Sequence, residues 1–75
     1  MTVSELGKIL GDMYRSAPHG YQVAKIHLFG VKYAHVILRN DFNVKEIVSA
    51  SGISLSYATE VSKGIKLSEY VVPKE

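Results

Sequence analysis

Three short breaks divide this chain into stretches whose apolar residues return every three or four positions rather than alternating. The breaks are Ser16-Ala17-Pro18-His19-Gly20, Arg39-Asn40-Asp41-Phe42-Asn43 and Ser51-Gly52, all rich in residues that favour turns. Apolar residues at that period line one face of a helix and cannot line one face of a strand. Only Tyr70-Val71-Val72 is short and apolar enough to read as either a strand or a helix end. The expected fold class is therefore all-α, a small domain of four to five helices. At 75 residues the chain reads as one domain, residues 1–75, large enough to bury about 60% of its unfolded surface.

Composition removes several alternatives. A hydrophobic content of 47% with 21% charged residues is too apolar for a disordered chain. Without cysteine there is neither a disulfide staple nor a thiolate zinc site. No apolar run approaches the ~20 residues that span a bilayer, so no membrane partner is expected. The start, Met1 to Glu5, lacks the basic and apolar parts of a signal peptide, which points to the cytoplasm.

The first stretch, Thr2 to about Ala17, opens on a capping box of Thr2 and Glu5. Val3, Leu6, Ile9, Leu10 and Met13 form its apolar stripe, and Glu5–Lys8 and Asp12–Arg15 are spaced to pair on the outer face. The second, Tyr21 to about Leu38, places Val23, Ile26, Gly30, Tyr33, Ala34, Ile37 and Leu38 on one face. Lys25, Lys32 and Arg39, seven apart, make a basic stripe opposite, flanked by Leu28, Phe29 and Val36. Those three are candidate interface residues for a homodimer or an effector protein. Gly30 either sits inside a continuous helix at a cost of about 1 kcal/mol or splits it. The third stretch, Asn43 to Ala50, starts at the Asn43 cap, faces Ile47 and Val48 inward and ends at Ser51-Gly52. The fourth begins after Ser54 or Ser56 and runs to about Lys63, with Ala58 and Val61 inward, Leu55 one turn earlier and Gly64 as its stop.

The block from Val44 to Lys63 resembles the helix-turn-helix of bacterial repressors. Gly52 stands at the turn, Ile53 follows as the plug of the crossing, Ala58 and Val61 lie five and eight residues beyond that plug, and Ile47 fits the first helix. Val48 departs from the family's usual alanine, and Ser51 stands where an apolar residue is usual. The whole chain also looks like small bacterial helix-turn-helix-like domains, some found beside restriction-type enzymes. Ile26 to Ala34 and Ser56 to Gly64 carry that likeness.

The resemblance implies double-stranded DNA as the partner, and a transcriptional regulator or DNA-targeting module as the role. It places the second motif helix in the major groove. Leu55, Ser56, Tyr57, Thr59 and Glu60 are then the base-reading candidates, and Lys45, Lys63 and Lys66 the phosphate contacts. No arginine, asparagine or glutamine lies on that helix, so the set lacks the bidentate readers of guanine and adenine.

Charge along the chain bears on the same point. The net charge is +2 with neutral histidines. From Phe42 onward four lysines (Lys45, Lys63, Lys66, Lys74) meet four glutamates (Glu46, Glu60, Glu69, Glu75), so the whole excess precedes the motif. Because DNA affinity rests largely on phosphate neutralisation, Lys25, Lys32 and Arg39 are added as phosphate-contact candidates. A protein-interaction module on the same scaffold is the alternative reading.

Catalysis is not expected. His19, His27 and His35 are eight apart, which on a helix is about 12 Å of rise and off alignment, so they share no metal. No nucleophile has a histidine and carboxylate at a motif spacing, and no glycine-rich phosphate loop occurs. Neither a cofactor nor a small-molecule ligand is expected.

Overall fold

The computed structural model describes residues 1–74. It holds four α-helices, and among the described residues there is no strand. Each helix starts and stops for a local reason. Thr2 accepts from the Glu5 amide while the Glu5 carboxylate accepts from the Thr2 amide, and this box opens α1 (Val3–Arg15). With Glu5 turned back on the cap, Lys8 reaches forward to Asp12 at 3.2 Å rather than back to Glu5. Asp12 also meets Arg15 at 3.5 Å.

Helix α2 (Gln22–Arg39) is continuous through Gly30. It closes on Asp41, held at a left-handed φ of +54°, with the Phe42 amide donating to Ile37 and the Asp41 amide to Leu38. These are the two bonds of a glycine-type helix closure, here with an aspartate at the left-handed position. Asn43 then caps α3 (Val44–Ser51) by accepting from the Glu46 amide. Gly52 ends α3 at φ +81°, a conformation costly for any residue with a Cβ. Ser54 caps a single 3-10 turn, Leu55–Tyr57, which leads into α4 (Ala58–Leu67).

The core is Leu6, Leu10, Ile26, Phe29, Ile37, Ile47, Val48 and Val61. The pairing of helices is crossed: α1 lies along α3, and α2 lies along α4. Glycines make both approaches close. A Cβ on Gly7 would stand 2.6 Å from the Ala50 Cβ, and one on Gly30 would stand 2.6 Å from the Val61 carbonyl oxygen and 2.8 Å from the Gly64 Cα. A Cβ on Gly64 would overlap the His27 carbonyl oxygen.

Several expectations are corrected here. Gly64 does not stop the last helix, which runs on to Leu67; it is the point where α4 meets the backbone of α2. Val23 and Leu38 are exposed, since they fall at the margins of an inward stripe narrower than the periodicity marks. Tyr70, Val71 and Val72 form no strand: Tyr70 closes a turn whose amide donates to Leu67, and the following residues are irregular. No helix among the described residues is long and apolar enough to cross a membrane.

Candidate nucleic-acid interface

The stretch from α3 to α4 folds as helix, glycine turn, 3-10 turn and helix, over the residues that the motif spacing marks. The buried Ser51 answers the question its polarity raises. Its hydroxyl donates to the Val48 carbonyl and accepts from the Ile53 amide at 3.2 Å, so it replaces an apolar residue without leaving a buried polar atom unpaired. The Arg15 guanidinium donates to the Ser51 carbonyl at 3.2 Å and ties α1 to the turn. Ile53 packs on the core, and Val61 is fully buried. Val48 is also fully buried, within the core cluster.

The outward side of the second motif helix carries Leu55, Ser56, Thr59, Lys63 and Lys66, all exposed, with Ser62 half-buried between them. Lys45 is exposed at the start of α3. Two of the five base-reading candidates are turned elsewhere. Tyr57 packs half-buried against Tyr14, ring centroids 5.3 Å apart and hydroxyls 3.3 Å apart. That hydrogen bond, with burial second, pushes the Tyr14 hydroxyl pKa up. Glu60 is drawn toward α2, where its Oε1 lies 2.7 Å from His27 Nε2, while its Oε2 accepts from Lys63 Nζ at 3.3 Å. The hydrogen bond from His27, and then that from Lys63, hold the Glu60 carboxyl below its ordinary pKa. Sequence spacing gave no sign of this pair, since the partners are 33 residues apart. The nearest signal is that each precedes a mid-helix glycine by about one turn, His27 before Gly30 and Glu60 before Gly64.

The basic stripe is not on this side. His27 and Gly30 face α4, and two residues along a helix turn the chain by about 200°. Lys25 and Lys32 therefore stand on the far side of α2 from α4, with Arg39 in line behind them. The three do not join Lys63 and Lys66 on one surface, because α2 spends its opposite face on the α4 crossing. Phe29 is 0% exposed, its ring tilted against that of Tyr33 with centroids 5.2 Å apart, so it belongs to the core and is not an interface residue. Val36 is half-buried against the core, and Leu28 is half-buried on the outer side. Among the described residues no three histidine or carboxylate side chains gather where a metal ion would be held.

Residues 2–74 match the model of a protein family described as an HTH-like domain. No curated protein and no solved structure matches the chain.

Proposed function

The chain belongs to the HTH-like domain family, and from that membership we propose that it binds double-stranded DNA, with α4 as the helix that enters the major groove. One observation carries the reading. The outward face of α4 presents hydroxyls and lysines, and its one carboxylate, Glu60, is already paired with His27 and Lys63. Lys66 and the hydroxyls of such a face meet phosphate directly, and Lys63 meets it by turning from Glu60. In this reading Ser56 and Thr59 bond base edges, Leu55 and the Thr59 methyl touch thymine methyls, and Lys45, Lys63 and Lys66 neutralise phosphates. The role is binding rather than catalysis, as part of a regulator or a DNA-targeting module.

Discrimination between sequences is expected to be weak, because α4 holds no bidentate reader. Lys63→Ala and Lys66→Ala should each lower affinity evenly across sequences and reduce the slope of log affinity against log salt by about one. The test is an amide-resolved titration with duplex DNA over a salt series. Shifts concentrated in residues 54–66 and around Lys45, and lost as salt rises, support the proposal. No shift in that segment at low salt rejects it.

A further inference from the structure

Three side chains form a relay from α2 to the rim of α4. His27 Nε2 lies 2.7 Å from Glu60 Oε1, and Glu60 Oε2 accepts from Lys63 Nζ at 3.3 Å. The two ends of the relay differ. His27 is fixed at the helix crossing, where its carbonyl oxygen comes too close to Gly64 for a Cβ to fit. Lys63 is at the rim, its side chain 61% exposed against 35% for His27 and 24% for Glu60. The fixed end is also the end that can change charge, because imidazole is the side chain that titrates between about pH 5 and 8. The middle stays ionised over that range, since the bond from His27 first and that from Lys63 second hold the Glu60 carboxyl below its ordinary pKa.

One proton can therefore decide where Lys63 commits its charge. A neutral imidazole donates Nε2–H to Glu60 but leaves the carboxylate charge whole, and Lys63 is its counter-charge. An imidazolium makes a charge-assisted bond to Oε1 and balances that charge itself. The hold on Lys63 then weakens, and its ammonium is available at the surface of α4. The other ionisable groups near α2 are occupied or point elsewhere. Helices α1 and α4 pack on α2. On α1, Glu5 is turned onto the Thr2 cap, Lys8 and Arg15 pair with Asp12, and Tyr14 bonds Tyr57. On α4, Lys66 is exposed on the outward side. Lys25 and Lys32 stand on the far side of α2, and His35 and Glu69 line the cleft at its Val31–Leu38 end. We propose that His27 is a positioning residue for DNA binding, acting through Glu60 to hold Lys63 or release it to phosphate, so that affinity rises as His27 takes up a proton. This inference rests on the DNA reading of α4. An exposed lysine–carboxylate pair is weak, so the release is worth a few-fold in affinity rather than orders of magnitude.

The test measures duplex DNA affinity by anisotropy at constant low salt, at about pH 5.5 and about pH 8, for the parent and three variants. The parent's gain on acidification should exceed that of His27→Gln by about threefold. His27→Gln, which keeps a donor and never charges, should match the parent at the higher pH. Glu60→Gln, whose neutral amide frees Lys63, should bind about threefold more tightly than the parent at the higher pH, a gain that loss of structure does not produce. Lys63→Ala should lack the excess gain. His19 and His35 titrate in all four proteins and cancel from the comparison. A second readout needs no DNA. Followed by NMR, the side-chain signals of Lys63 should move with the His27 imidazole titration in the parent and stay still in Glu60→Gln. An excess gain that survives in His27→Gln or Lys63→Ala overturns the inference, as does a Lys63 that ignores the His27 titration. DNA binding without any excess gain overturns the inference and leaves the DNA reading standing, whereas no binding at either pH overturns both.

Discussion

At the scale of single residues, the decisive side chain beside the candidate DNA face is a carboxylate shared between His27 and Lys63. Glu60 sits in the first turn of α4, where a carboxylate would repel phosphate, yet it is 24% exposed and paired at 2.7 Å with His27. Because its carboxyl is held below the ordinary value chiefly by that hydrogen bond, the folded chain resists protonating it more than the unfolded chain does. The stabilisation is complete above the unfolded carboxyl pKa and drains away as pH falls through the lower folded value. Glu60→Gln should therefore cost stability near pH 6, and its deficit against the parent should close as pH drops below about 4. Asp12, lowered in the same way first by its bond from Lys8, keeps its slope in both proteins and cancels from the comparison. Melting temperatures across that range check the expectation. A gap that stays constant with pH would mean that the charge of Glu60 contributes nothing.

At the scale of elements, glycine decides how the helices cross. Gly30→Ala and Gly64→Ala should each destabilise by about 1–3 kcal/mol, since the added methyl meets backbone atoms that cannot step aside. That outweighs the gain of about 1 kcal/mol from replacing glycine in a helix. Urea unfolding measures the balance, and a stabilised Gly64→Ala would show that the crossing is looser than the distances imply. These glycines also mark the boundary of what could be read in advance. Caps and periodicity act within a few residues, so the Thr2–Glu5 box, the Asn43 cap and the left-handed Gly52 were legible. Gly64 looks like a stop until α2 is known to lie beside it. Leu38 looks inward until the neighbouring helix turns out to lie elsewhere. Glu60 looks like a reader until a histidine 33 residues earlier comes within 2.7 Å. Each of these misreadings concerns which helix meets which, and a spacing within one segment does not contain that.

At the scale of the whole molecule, measuring about 32 × 26 × 20 Å, the basic residues are split between two sides. Lys63 and Lys66 point out from α4, whereas Lys25, Lys32 and Arg39 follow the outer side of α2. The crossed pairing, α1 with α3 and α2 with α4, has a consequence for how such a protein diversifies. The angle between the motif helices is set by residues on their inward sides and by the two longer helices behind them. Leu55, Thr59, Lys63 and Lys66 contribute little to that packing, so selection can exchange them almost independently of folding. A lineage built on this frame can change what it recognises by altering a handful of exposed positions, while the glycines at the crossings stay put.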